Sequence, residues 1–466
     1  MSICETIVPP YPQEKIPASI VRIFPAETYR RRIEKALGLA VERYNITHLV
    51  VYGDREHFAN LHYFTGYDPR FEESILILSR GREPVILVGN EGWSYAEIIP
   101  YLVKRILFQS LSLAGQPREK AHKNLLVDTL KQAGIGKGSI VGLVGIKYYV
   151  GEEAEDYLHM VDIPWFMGKA IEDTVGVPPV NVTDIMIHPA YGLRTTLDID
   201  EMAVLELAGT KTSRSVARVM ANLKEGINEI EASSYLETDG DPLVSHPVLN
   251  FTADAIRQGL VSPGSYRLKY GDPFNIGYGY RSSMVARTAM YARNKDDIPY
   301  QWHDIMEKVY IPYFKVIVLW YESLKIGISG KSILEKIWKE VPEYDGLNVG
   351  LNPGHLIHND EWTSSIFTSQ TAYPIKNGMA IQCDIIACPA NYPGVHIEDG
   401  LIMADEETRN LFKGKYPEAW ERMAARQKLM RDYLHIGISD EVLPLSDMQA
   451  CLSPWTVNPC SVLAAR

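Results

Sequence analysis

Three stretches of the chain hold most of the side chains that could do chemistry. "NPGHLIHNDEW" (352–362) sets His355, His358, Asp360 and Glu361 within seven residues. That composition suits a metal-binding or proton-transferring segment. Downstream, "KNGMAIQCD" ends on Asp384 and "GVHIEDGLIM" carries His396 and Glu398. An imidazole titrates near neutrality, so His355 is a candidate general base, with a carboxylate to orient it or stabilise its charged form. A third stretch, "KYGDPFNIGYGYRSSMVART", supplies Tyr278, Tyr280 and Arg287. The two tyrosines flank a glycine at strand period and so share a face, either lining a pocket or packing in a Tyr-rich sheet. Whether His355 and its neighbours hold a metal is the first question the sequence raises.

These groups need elements to position them. "THLVVYG", "ESILILS", "EPVILVG" and "GSIVGLVG" read as buried strands, and "YAEIIPYLVKRIL" and "NLLVDTLKQAG" as helices, an alternation that predicts an α/β domain over 1–190. From residue 191 the character changes. Asp198 or Asp200 can cap a helix of more than twenty residues that Gly226 stops. "LKEGI" (223–227) and "LKIGI" (324–328) then recur 101 residues apart, each between two helical stretches and ahead of strand-like runs. This repeat predicts an internally duplicated domain over 191–405. Residues 406–466 are expected to add a charged, exposed helix and an irregular tail, and the Pro-rich first twenty residues to wrap a surface.

Composition bounds the rest. The 466 residues are 46% apolar and 23% charged with net charge −11, an ordinary balance for a globular protein and a poor one for nucleic acid. No apolar run reaches membrane-spanning length, and the N-terminus lacks the pattern of a signal peptide. Five cysteines without a CxxC predict reduced thiols, hence a cytoplasmic location.

The order of "KYGDPFNIGYGYRSSMVART", "NPGHLIH", "KNGMAIQCD" and "GVHIEDGLIM", with "NLHYFTGYD" near the N-terminus, resembles the creatinase/aminopeptidase P/prolidase superfamily (peptidase M24) over roughly residues 25–405. The resemblance implies an α/β creatinase/prolidase-like N-terminal domain followed by an α+β pita-bread domain with an internal pseudo-twofold repeat. It also implies a homodimer with the active site near the subunit interface. The loop "HYFTGYDPRFEE" would then let Arg70 and Phe71 reach the other subunit's pocket, unless it is only a surface turn.

Metallopeptidases of this superfamily hold two ions with two aspartates, one histidine and two glutamates. This chain has His355, Asp384 in place of the first glutamate, and Glu398, but no acid from Pro273 to Thr288, where both aspartates should lie. The resemblance therefore points to creatinase, which works without metal. The expectation is a metal-independent, cofactor-free hydrolase cleaving a C–N bond of a small amidino, lactam or amide compound. His355 would be the base, with Asp384 and Glu398 as proton partners.

Arg287 would ion-pair within the site or, without the aspartates, bind a substrate carboxylate; Tyr278, Tyr280 and His396 would line the pocket, and His358 would share it or face solvent. His396 stands where the family has arginine, either answering a changed pocket charge or as neutral drift. Asp360 and Glu361 read as a solvated loop. Two alternatives stay open: an Xaa-Pro-type metallopeptidase with a reduced metal site, and a non-catalytic pita-bread protein that binds a ligand or peptide.

Overall fold

The computed structural model describes residues 1–350 and 352–466. They form two compact units, one of residues 22–194 and one that joins residues 1–21 to 195–466. The chain opens with strand β1 (Ile3–Ile7), which belongs to the second unit.

The 22–194 unit begins with the helix Ala26–Tyr44. Its buried Tyr29, Arg32, Ala36, Leu37 and Ala40 recur at helical spacing, and Asn45 ends it in the left-handed region at φ 53°. Strands β2 (His48–Gly53), β3 (Ser74–Ser79), β4 (Val85–Val88), β5 (Lys104–Leu107), β6 (Val141–Val144) and β7 (Val180–Asn181) form one sheet in the order β5-β4-β3-β2-β6-β7. Leu49, Val51 and Leu76 pack on one face, and Val50, Tyr52, Ile75 and Ile77 on the other. Apolar runs without polar alternation suit strands covered on both sides. One expectation fails here. "YAEIIPYLVKRIL" is a single 3-10 turn over Ala96–Ile98 followed by edge strand β5, because Pro100 interrupts the helical pattern.

The other unit is built on a seven-stranded antiparallel sheet. It contains β8 (Val248–Asn250), β9 (Pro273–Tyr278), β10 (Val285–Met290), β11 (His355–Leu356), β12 (Ala380–Ala387), β13 (Val395–Met403) and β14 (Val442–Pro444). The order is β11-β12-β13-β10-β9-β8, with β14 also on β13. The halves β11-β12-β13 and β10-β9-β8 mirror each other about the β13–β10 pair.

The duplicated pentapeptides make the same contacts in each half. Gly226 N–H donates to the Leu268 carbonyl at 2.8 Å and Leu268 N–H to Ile227 at 2.9 Å; Gly327 N–H donates to Ile375 at 2.9 Å and Ile375 N–H to Ile328 at 2.8 Å. Both glycines have φ near +90° (85° and 90°), which a side chain would strain. The helix Ile199–Ala221 starts at Asp198, whose side chain and that of Glu201 form a reciprocal capping box.

The chain ends depart from expectation. Strand β15 (Ser461–Ala465) pairs with β1 over five residues, so the tail is not an irregular extension but joins the N-terminus. The helices Glu406–Lys415 and Pro417–Lys428 belong to the same compact unit, where Phe412, Ala419 and Met423 share a core with Met202 and Leu205. Ser19 and Ile20, in the Pro-rich arm, are tied to Asp241.

Candidate active site

Strand register decides which side chains meet. Asp384 is opposite Glu398, Glu398 opposite Ala286, and Ala286 opposite Gly277; His355 is opposite Gln382. Residues directly opposed in an antiparallel sheet share a face, and neighbours along a strand do not. His355, Gln382, Asp384, His396 and Glu398 therefore lie on one face, while Ile385, Ile397, Asp399 and Arg287 lie on the other.

On the first face His355 is fully buried. Its Nε2 lies 2.8 Å from Glu361 Oε1 and 3.8 Å from both Asp384 Oδ2 and Glu398 Oε1. Its Nδ1 donates to the Leu356 carbonyl at 3.2 Å. The Trp362 ring stacks on the imidazole at 4.3 Å and 21°. His396 Nε2 is 2.7 Å from Asp384 Oδ1 and 3.9 Å from Glu398 Oε2. Gln382 Nε2 donates to Glu398 Oε1 at 3.2 Å and to the Met284 carbonyl at 3.0 Å.

The electrostatics follow from burial and crowding. Burial and the neighbouring Asp384 charge push Glu398 up to about 8. Burial also acts to raise Asp384, but the hydrogen bond and charge of His396 outweigh it and hold the carboxyl below its usual range. Both histidines are penalised by burial as cations, yet both are raised, His355 by Glu361 and Glu398 and His396 by Asp384.

The tautomer of His355 narrows what can occupy the centre. A carbonyl only accepts, so Nδ1 carries the proton and a neutral ring aims its Nε2 lone pair at three carboxylates. That arrangement repels itself unless a cation, either a proton or a metal ion, sits at Nε2. None of the three carboxylates makes an aligned hydrogen bond to Nε2, although Glu361 is close.

One ligand atom each from His355, Asp384 and Glu398 lies within 4.8 Å of the other two. A histidine with carboxylates suits a divalent ion, and the hydrogen bonds from His396 and Gln382 would orient the carboxylates as outer-shell partners do. The residues fit one ion but not a pair. Across the sheet the same face presents Asn275, Gly277, Met284, Ala286 and Thr288, without a carboxylate, and the Met284 methyl lies 3.2 Å from where a Gly277 side chain would begin. Asn275 and Thr288 are hydrogen-bonded to each other at 2.8 Å.

Other residues singled out from the sequence go elsewhere. Arg287 is not free to bind a substrate carboxylate. It lies on the opposite face, with NH2 2.9 Å from both Asp399 carboxylate oxygens, and also donates to the Ala286, Glu398 and Met448 carbonyls. Tyr278 and Tyr280 take the packing alternative. They meet edge to face at 5.8 Å, Tyr278 donates to the Glu237 carbonyl, and Lys211 lies 5.0 Å over the Tyr280 ring. His358 is buried against Glu201 at 3.2 Å, at the N-terminal cap of the helix Ile199–Ala221, so it braces a helix outside the cluster. Arg70 and Phe71 lie in the 22–194 unit, where Arg70 sits 3.6 Å from Asp68 and Phe71 is 72% exposed.

Sequence reasoning misread Glu361 as a solvated residue and overlooked Trp362 and Gln382. For Gln382 a signal existed, since it stands two residues from Asp384 and strand parity puts both on one face.

No family model and no curated protein sequence matches the chain. Solved structures do. The Xaa-Pro dipeptidase of Bacillus anthracis superposes with TM-score 0.61 at 14% identity, over 81% of this chain and 96% of its own. The prolidase of Pyrococcus horikoshii OT3 gives 0.59 at 15%, over 80% and 95%. Zinc-substituted aminopeptidase P of E. coli with bound product gives 0.58 at 12%, over 82% and 94%. With the mirrored antiparallel halves and the six-stranded α/β sheet, these matches show that the chain has the pita-bread fold of the prolidases and aminopeptidase P, preceded by their kind of N-terminal domain.

Proposed function

We propose that this chain is a hydrolase of C–N bonds in small amide, lactam or amidino compounds, working with one divalent cation held by His355, Asp384 and Glu398. The observation that carries this reading is the His355 ring, whose Nδ1–H is committed to Leu356 while its Nε2 faces Glu361, Asp384 and Glu398, with ligand atoms of His355, Asp384 and Glu398 all within 4.8 Å of one another. The fold shared with solved dipeptidases supports hydrolysis as the reaction class. An ion bound there would polarise a carbonyl and acidify a water molecule.

The chain's own groups do the rest. Leu356 fixes the His355 tautomer, and Trp362 covers the ring and keeps bulk water from it. Gln382 donates to Glu398 Oε1 at 3.2 Å and holds that carboxylate toward the centre. His396, charged beside Asp384, holds that carboxylate in place and is a donor for a departing nitrogen.

A second reading rests on the same pairs. His396 pairs with Asp384 at 2.7 Å and His355 with Glu361 at 2.8 Å, so a proton on His355 Nε2 can stand where the ion would. His355 then moves protons directly, as the sequence led us to expect. The test is turnover of a panel of small amides, lactams and Xaa-Pro dipeptides, before and after chelation and with Mn²⁺ or Zn²⁺ restored. Loss on chelation and recovery with metal support the leading reading, activity indifferent to chelation supports the second, and full activity of His355→Ala refutes both.

A further inference from the structure

Beside the cluster, on the same face of the sheet, is a cavity of about 120 Å³. Its walls are Val248, Ile256, Leu260, Met284, Ile386 and Val395, with Ala286 at its floor. It occupies the half of the sheet face that carries no carboxylate. Three polar side chains reach it: Asn275, whose Oδ1 accepts from Thr288 at 2.8 Å, Thr288 itself, and His396, whose Nε2 is 2.7 Å from Asp384 Oδ1. The rest of the lining is hydrocarbon apart from the Cys388 thiol, so a charged group entering this space would shed its water for few partners, which is unfavourable. A hydrocarbon group would lose nothing.

Taking the cluster as the reacting centre, we propose that this cavity selects the substrate. It receives a branched or cyclic aliphatic group of four to five carbons, attached next to the bond that His355, Asp384, His396 and Glu398 attack. Size sets the limit. A space of about 120 Å³ is somewhat smaller than the ~150 Å³ cavity that accepts benzene. Position sets the attachment. His396 lines the cavity and bonds Asp384, while Ala286 stands directly opposite Glu398 across the sheet, where Cβ atoms lie about 5 Å apart. A hydrocarbon seated on Ala286 therefore carries its neighbouring carbonyl or amidine carbon to the carboxylates. Met284 and Ala286 determine specificity, and Leu260, 78% exposed, forms the rim.

The test is binding, so it is independent of turnover. Isovaleramide, acetamide and glycinamide are titrated into the full chain by saturation-transfer NMR, with the methyl signals of isovaleramide as the probe. Isovaleramide should bind at least tenfold more tightly than acetamide, with its methyls saturated most strongly, and glycinamide should not bind. Ala286→Leu fills the floor and should weaken isovaleramide tenfold or more. Leu260→Asp, at an exposed position that does not endanger folding, should weaken it about fivefold. Equal binding of the three amides, no binding of any at millimolar concentration, or an unchanged isovaleramide affinity in Leu260→Asp overturns the proposal. Selective binding without hydrolysis of any amide keeps the cavity and removes the hydrolase reading instead.

Discussion

Of the two roles open to Arg287 in the sequence, the structure shows an ion pair, and replacing the residue separates that structural role from substrate binding. Arg287→Met removes a guanidinium that is 3% exposed and strips Asp399, at 0%, of the cation it pairs with. What remains to Asp399 is the Ala450 N–H at 2.9 Å and the Ser446 hydroxyl. Breaking a buried pair from one side costs about 3–5 kcal/mol, because an uncompensated charge is left behind. In a unit of this size a kcal/mol is worth about 1–2 °C, so the melting temperature falls by roughly 3–10 °C.

The pH dependence has a definite sign. Burial already raises Asp399 despite the arginine, and losing the arginine raises it further above the unfolded value of about 4. The folded variant then binds more protons than the unfolded chain, so its deficit shrinks as pH falls from 7 toward 5. The double variant Arg287→Met/Asp399→Leu removes both charges and should recover at least half of the loss. Urea melts of the three proteins at pH 7 and pH 5 are the assay. A single variant within 1 kcal/mol of the parent, or a double variant no better than the single, refutes the structural assignment.

Three further outcomes follow from the same contacts. Arg426 is 2% exposed between Glu206 at 2.8 Å and Asp447 at 2.7 Å, so Arg426→Ala should cost about 3–5 kcal/mol in a urea melt. Asp198→Ala removes the cap of the helix Ile199–Ala221 and should cost about 1 kcal/mol in the same assay. Divalent-ion affinity, followed by calorimetry, should fall by about tenfold per pH unit for each proton displaced as pH drops below the Glu398 value of about 8.

Much of this was legible before the coordinates. The strands of the first sheet, the capped helix at Asp198 and the duplicated Lys-x-Gly-Ile turns all announce themselves through local patterns, because short-range sterics and capping decide them. His355, Asp384 and Glu398 were found because each sits in a motif of fixed order. Arg287 was misplaced although parity was available: Ala286 and Glu398 are paired, so their neighbours Arg287 and Asp399 must face away together. Glu361 and Trp362 could not have been placed, since their contacts with His355 depend on how an irregular loop folds back. The pairing of β1 with β15 was equally hidden, because five-residue strands carry little pattern and these partners lie more than 450 residues apart.

Metal stoichiometry bears on the central claim most directly. The chain and its His355→Ala variant are stripped with chelator, dialysed against Mn²⁺ or Zn²⁺, and their metal content is measured by elemental analysis beside a thermal-shift scan. The account predicts one ion per parent chain with a rise in melting temperature, and neither ion nor rise in the variant, which keeps its fold. Two ions per chain would contradict the single-cation centre, and a variant that still binds one ion would show that His355 does not hold it. No ion in either protein would leave a proton on His355 Nε2 as the cation the site requires.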